Sequence, residues 1–151
     1  MTTIADKINA PDFDTATVQW QQHMSFIHQG LNNFKNTPTG TNIVSLGAII
    51  NAQLANIQAL IDGGFTAIAL GPTVMRKFDL SQAQMEDPTN GFVVKYEKLR
   101  NIDLPAIATH INALNITGHV VGSKYAYDTP SDVTALTALA NTALEFYALE
   151  V

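Results

Sequence analysis

Four histidines, His23, His28, His110 and His119, are the side chains that could hold a transition metal. The chain has no cysteine, which excludes a thiolate zinc site and a disulfide framework. Because His23 and His28 are five residues apart, they are separated by about 140° around a helix, whereas a helical metal-binding pair is four apart. We therefore predict unrelated histidines and no metal site.

The segment from Glu86 to Glu97 partly fits the calcium-binding loop of an EF hand. Asn90, Gly91 and Glu97 occupy positions at which such a loop has a ligand, its glycine and its last carboxylate. Pro88, however, offers no side-chain oxygen at a ligand position. Pro-Thr-Asn-Gly is typical of a turn, so we favour a turn and keep a calcium site as the alternative.

Motifs for nucleotide binding and for nucleophilic catalysis do not occur in the sequence. It contains no G-x-x-x-x-G-K-[ST] loop, no G-x-G-x-x-G fingerprint and no G-x-S-x-G around a serine. Gly122-Ser123-Lys124 places a serine beside a lysine, but neighbours on an extended chain point to opposite faces. We predict no catalytic residue, no cofactor and no enzymatic activity.

The charge of the chain argues against a nucleic-acid partner. Its formal net charge is −5, whereas phosphate binding needs clustered Lys and Arg. Five of the eight basic residues do cluster: Arg76, Lys77, Lys95, Lys98 and Arg100. Acidic residues are interleaved with them, so we expect a self-compensating, solvated surface.

The beginning of the chain, from Met1 to Lys7, has neither the basic patch nor the apolar run of a signal peptide. No uninterrupted apolar stretch approaches the roughly 20 residues that cross a bilayer. We expect a protein that is made inside a cell and has no membrane partner. The length suits one domain, which we divide into an N-terminal arm, residues 1–11, and a single helical domain, residues 12–151.

Two long helices are the clearest structural prediction. In the first, capped by Asp12 or Asp14, apolar residues recur at steps of three and four: Phe13, Ala16, Trp20, Met24, Ile27, Leu31 and Phe34. Asn36-Thr37-Pro38-Thr39-Gly40 ends it. The second begins near Thr41, ends at Gly63-Gly64, and has a stripe of Ile43, Gly47, Ile50, Leu54, Ile57 and Ile61. The short connection predicts an antiparallel αα-hairpin.

The rest of the chain predicts further helices in a mainly α, bundle-like domain. A short helix suits residues 79–86. Asp103 could cap a helix that has apolar residues at Leu104, Ile107, Ile111 and Leu114 and that ends at Gly118. Pro130 suits the first turn of a last helix with a stripe of Val133, Leu136, Ala140, Ala143 and Tyr147. Residues 65–70, 92–97 and 119–127 fit strands as well, so a small β element within 65–127 is the α+β alternative.

The hairpin is unusually poor in charge. From Thr15 to Met75 the only charged residues are Lys35 and Asp62, and Asn, Gln, Thr and Ser take the polar positions. Charged residues are depleted at interface cores, so an interface is one explanation and compositional drift is the other. The leading hypothesis is a non-enzymatic structural or assembly subunit whose hairpin and arm contact itself or other protein subunits, as in a homo-oligomer. A virus or phage particle accessory protein (head, neck or tail), located in the virion, is one such subunit.

The alternative is a small ligand-binding or regulatory domain with a pocket between its helices. Aromatic side chains would form the wall of such a pocket, and the candidates are Trp20, Tyr96, Tyr125 and Tyr127. Aromatic residues at helical spacing are more often core residues. An interface predicts that new charge at Gln53 or Asn56 impairs assembly, whereas a pocket predicts an apolar cavity.

Overall fold

Apolar residues at helical spacing form helices throughout residues 2–9, 18–64, 78–116 and 130–150, which are the residues that the structure, a computed structural model, describes. The helices are α1 (Ile4–Ile8), α2 (Val18–Asn36), α3 (Gly40–Asp62), α4 (Gln82–Glu86), α5 (Phe92–Lys98), α6 (Leu104–Ile116) and α7 (Pro130–Tyr147). They form a mainly α-helical, bundle-like domain, as predicted. Residues 92–97, which also fitted a strand, are helical. The other two candidate strands, at 65–70 and 119–127, lie outside the described residues.

Helices α2 and α3 pack side by side as the predicted hairpin. α2 ends at Asn36, and Thr39 caps α3 by accepting a hydrogen bond from the Asn42 amide. The Asn42 side chain donates to the Thr37 carbonyl at 2.7 Å, which ties the connection to α3. Gly63 ends α3, as the Gly-Gly pair predicted. The proposed caps Asp12 and Asp14 lie outside the described residues.

Two glycines let α3 approach its neighbours closely. A Cβ on Gly30 of α2 would lie 3.1 Å from the Ile49 Cδ1 of α3. A Cβ on Gly47 of α3 would lie only 2.6 Å from the Ile111 Cγ2 of α6. Since real Cβ contacts are longer than this, glycine at position 47 sets the distance between α3 and α6.

An aromatic cluster fills the centre of the domain. Trp20, Phe78, Phe92, Tyr96 and Phe146 are all buried, and the centroids of contacting rings in this group are 5.4–6.5 Å apart. Their arrangement is mostly tilted or edge-on, which aromatic pairs prefer. The cluster joins α2, α5 and α7, three elements that are distant in sequence, into one core.

The segment predicted as an N-terminal arm contains the short helix α1, which packs against its own chain. Ile4 and Ile8 are fully buried in the core. Thr3 and Asp6 form a capping box at the start of the helix, and the Ile4 amide donates to the Leu149 carbonyl at 2.9 Å. Contacts within the domain thus hold residues 3–8 in place.

Helices α5 and α6 are joined without a break by a π-helical turn at Leu99–Asp103. The prediction that Asp103 caps a new helix was wrong, because the chain is already helical before it. Pro105 has no N–H to donate to the carbonyl four residues earlier, and a proline inside a helix normally disrupts it. The wider turn, in which the Leu104 amide donates to the Leu99 carbonyl, accommodates this proline. The Asp103 carboxylate instead accepts two hydrogen bonds from Lys98 Nζ, at 2.9 and 3.0 Å.

We expect Lys98→Met to lower the free energy of unfolding by about 1–2 kcal/mol. It leaves the Asp103 side chain, only 8% exposed, without its ionic partner, and an unpaired buried acceptor retains its desolvation cost. The estimate is at the low end because the lysine itself is partly exposed. Urea unfolding measures the loss. The double variant Lys98→Met, Asp103→Leu should recover most of it, and an equal loss in both variants would instead assign the effect to packing.

Candidate interaction surface

The three histidines within the described residues, His23, His28 and His110, form no common metal site. His23 lies on α2 two turns before Gly30, on the side that faces α3, and its Nδ1 is buried without a hydrogen-bond partner. His28 lies on the flank of α2 toward α1 and α7, and His110 lies on α6. His119 lies outside the described residues. In the part of the chain that the structure describes, no three His, Asp or Glu side chains are grouped closely enough to bind a metal ion together.

The residues that partly fitted a calcium loop form a turn and the start of a helix. Asp87 Oδ1 accepts hydrogen bonds from the amides of Thr89, at 2.8 Å, and Asn90, at 3.1 Å. These bonds hold the pKa of the Asp87 carboxyl below its ordinary value. Gly91 then caps α5, and Glu97 lies exposed on that helix. The predicted turn is confirmed.

Three members of the basic cluster lie within the described residues, and their surroundings differ. Lys98 is occupied by Asp103, and Arg100 is half-buried, with its Nε out of contact with solvent and without a hydrogen-bond partner. Lys95 is half-buried on α5. Arg76 and Lys77 lie outside the described residues.

Two of the aromatic residues proposed for a pocket wall lie in the core. Trp20 and Tyr96 are 1% and 2% exposed. Trp20 Nε1 donates to the Tyr96 hydroxyl at 3.1 Å, so the polar atoms of both residues are paired inside the aromatic cluster. Burial raises the pKa of the Tyr96 hydroxyl, and the bond from Trp20 opposes this increase. Tyr125 and Tyr127 lie outside the described residues.

The outer side of the αα-hairpin is a broad uncharged surface. We call it the hairpin face and define it by these exposed residues of α2 and α3: Gln19, Gln22, Phe26, Gln29, Asn33, Thr41, Ser45, Ala48, Ala52, Ala55, Asn56 and Ala59. None of them carries a charge. The exposed charged residues of the two helices, Lys35 and Asp62, lie at the helix ends. The absence of charge is a feature that this surface shares with the cores of protein interfaces and that an ordinary solvated surface lacks.

Phe26 is the large apolar residue of the hairpin face. It is 51% exposed, although phenylalanine is usually buried. It lies one turn before Gly30 on α2, on the flank next to α3. Aromatic residues are enriched among those that contribute most to protein–protein binding. Phe26 is therefore the natural anchor of a contact made by the hairpin face.

Helix α3 is apolar in composition but only partly buried. Among the described helices it is the one long and apolar enough to cross a membrane, and only 28% of its most apolar window is buried inside the domain. Core helices of water-soluble proteins also meet this length and composition test, so the property alone assigns no location. It does show that much of an apolar helix is left uncovered by the rest of the described chain.

A second polar feature is the His28 cluster, made of Asn9, Ser25, His28, Asn32 and Tyr147. The His28 ring stacks on Tyr147 with centroids 4.5 Å apart. Its Nδ1 is 3.1 Å from Asn9 Nδ2, and its Nε2 is 2.9 Å from the Asn32 amide. Burial lowers the pKa of His28, and nearby Asp6 opposes this shift. The Tyr147 hydroxyl is buried and donates to the Met24 carbonyl at 2.8 Å.

A shallow cleft of about 220 Å³ borders the His28 cluster. It lies between α1, α2 and the C-terminal end of α7, and Lys35, Asn32 and Thr3 supply its polar atoms. Leu144 and Ala148 supply part of its apolar wall. No sequence pattern indicates this cluster, because Asn9 and Tyr147 reach His28 only through the packing of three helices.

Fold and surface together define this protein as a mainly α-helical, bundle-like domain whose hairpin carries an uncharged outer face. Comparison of the chain with protein-family models, with curated proteins and with solved structures finds no match.

Proposed function

We propose that this protein is a non-enzymatic assembly subunit whose hairpin face binds other protein subunits, copies of this chain among them. The observation that carries the proposal is the absence of charge from the twelve exposed residues of the hairpin face. Removing charged groups from water is costly unless they are paired, and this surface can be covered without that cost. Subunits of virus or phage particles (head, neck or tail) are one class of protein that assembles in this way.

Two further features support a protein partner. Phe26 offers an exposed aromatic anchor on the hairpin face. The polar residues of this face, such as Gln22, Gln29 and Asn56, carry amides, which can both donate and accept hydrogen bonds across an interface. A copy of the same face can therefore satisfy these groups without needing a complementary charge.

Light scattering of the purified chain over a range of concentrations tests the proposal. It compares the wild type with two charge variants of the hairpin face and with two matched variants of α7. Ala52→Glu and Asn56→Lys place charge on the hairpin face. Ala138→Glu and Asn141→Lys make the same substitutions at exposed positions of α7. We expect the wild type and the α7 variants to form a defined oligomer, and the face variants to dissociate at least tenfold more readily, which corresponds to about 1.4 kcal/mol.

Circular dichroism of each variant checks that the helical content of the monomer is unchanged. A mass of one chain at every concentration would contradict self-assembly through the hairpin face. Equal weakening by the face and α7 variants would assign the effect to net charge and contradict the assignment of the face. A monomer that instead co-sediments with lipid vesicles would contradict the protein partner and indicate a membrane partner.

A further inference from the structure

The proton on His28 is placed by its neighbours. The Asn9 side-chain amide donates to the Ala5 carbonyl at 2.8 Å, and a carbonyl can only accept. This bond fixes Asn9 Nδ2 toward the ring, with Asn9 Oδ1 accepting from Ser25 Oγ at 2.9 Å. The Nδ1 of His28, 3.1 Å from Asn9 Nδ2, must therefore accept a hydrogen bond and cannot carry a proton.

A neutral imidazole with a bare Nδ1 carries its proton on Nε2. The contact of 2.9 Å with Asn32 then requires the amide oxygen of Asn32 to face the ring. The side-chain amide of Asn32 can rotate by half a turn to place its oxygen there, because an amide has nearly the same shape in both orientations. Asn9 cannot do so without losing its bond to Ala5. The cluster therefore accepts the neutral ring and opposes the charged one.

We infer that His28 makes the docking of the N-terminal helix α1 sensitive to acid. Protonation puts an N–H at Nδ1, directly opposite the N–H of Asn9, which is the residue that ends α1. Undocking of α1 removes Asn9 and restores solvent to the ring, so the undocked state binds the proton more tightly. Acid then shifts the population toward the undocked state.

The charged and titratable groups around the ring are compatible with this direction. From α1, Asp6 attracts a charged ring, but its exposed carboxylate is held by the capping box with Thr3. From α2, Lys35 lines the same cleft and opposes a second positive charge. From α7, Tyr147 stacks on the ring and stays neutral because burial raises its pKa. Desolvation is the largest influence on the pKa of His28, and it lowers that pKa below its ordinary value of 6.5.

The sign of the pH dependence follows from this shift. Since the pKa of His28 is lower with α1 docked, docking is at full strength above about pH 6.5. It weakens as the pH falls below that value, toward the pKa of the docked state. Undocking exposes Ile4 and Ile8, which are fully buried in the neutral form. This inference is independent of the proposed assembly through the hairpin face, which lies on another side of α2.

Amide hydrogen exchange by NMR between pH 7.5 and 5.5, corrected for the intrinsic exchange rate, tests the inference. We expect the protection of the Ile4 amide, which is bonded to Leu149, to fall roughly two- to tenfold, the value of one net hydrogen bond. Amides in the middle of α3 should not change. The fall should occur between about pH 6.5 and the midpoint of the His28 ring titration measured on the same sample.

Three variants locate the effect. His28→Asn keeps an acceptor near the Nδ1 position but cannot titrate, so the fall in protection should disappear. Asn9→Ala removes the opposing N–H and should reduce the fall. His110→Asn, which removes a histidine from α6, should retain it. In the wild type, titration of the His28 ring without a change in the protection of the Ile4 amide would overturn the inference. An undiminished fall of that protection in His28→Asn would overturn it as well.

Discussion

Phe34→Ala is expected to lower the free energy of unfolding by about 3–5 kcal/mol, whereas Phe26→Ala on the same helix should change it by less than about 1 kcal/mol. Phe34 is fully buried, and its truncation removes apolar contact and leaves a cavity in the core. Phe26 is 51% exposed, so its truncation removes much less buried area. Urea unfolding followed by circular dichroism measures both values.

The two variants form a matched pair, because they make the same change eight residues apart in α2. A loss of 3–5 kcal/mol is a large part of the usual stability of a domain, so Phe34→Leu is the milder substitute if Phe34→Ala does not fold. The assembly proposal adds a second expectation for Phe26→Ala: unchanged stability with weaker self-association. Large destabilisation by Phe26→Ala would show that this ring is covered within the chain.

Much of the fold was predictable from local sequence patterns. The stripes of α3 and α7, and that of α2 from Trp20 onward, were correct because long amphipathic helices repeat the same signal over several turns. Phe13 and Ala16, the first two residues of the predicted α2 stripe, lie outside the described residues. Two helix ends were also predicted from single residues. Gly63 ends α3, and Pro130 begins α7, where its missing N–H costs nothing in the first helical turn. The stripes omitted Leu46 and Phe146, which are buried beside them.

Residues 92–105 show where local patterns fail. Phe92 and Tyr96 fit a strand and a helix equally well, and the choice is made by their packing with Trp20 and Phe146. Asp103 followed by Leu and Pro is also a normal helix start. The π-helical turn that continues the helix depends on tertiary packing and on the pair with Lys98, which a sequence does not show.

The candidate surface was predictable in composition but not in outline. The lack of charge between Thr15 and Met75 is visible in the sequence, yet only the fold separates exposed Asn56 from half-buried Gln53. Because Gln53 is half-buried, it is the weaker site for a charge test. Trp20 was correctly given a core alternative, since it is buried, whereas Tyr96 was considered for a pocket wall and is buried as well.

Gly91→Ala should lower the free energy of unfolding by about 3 kcal/mol, the upper end of the usual cost of overpacking. A Cβ at position 91 would lie 2.5 Å from the carbonyl oxygen and 2.7 Å from the amide nitrogen of Asp87. Backbone atoms cannot rotate away as a flexible side chain can. Asp87 is further fixed by its bonds to the amides of Thr89 and Asn90. Relief of the contact therefore requires the whole turn before α5 to open, which displaces Phe92 from the aromatic cluster.

Gly63→Ala is the matched control, because Gly63 also lies at a helix end but has ordinary negative φ and no neighbour of a Cβ closer than 3.5 Å. We expect it to change the free energy of unfolding by less than about 0.5 kcal/mol. Thermal and urea unfolding of the two variants, together with the fluorescence of Trp20, distinguish a local turn effect from general sensitivity to glycine replacement. If Gly91→Ala were as stable as Gly63→Ala, the 87–91 turn would relax freely around the added Cβ. This turn would then not position Phe92 for the core.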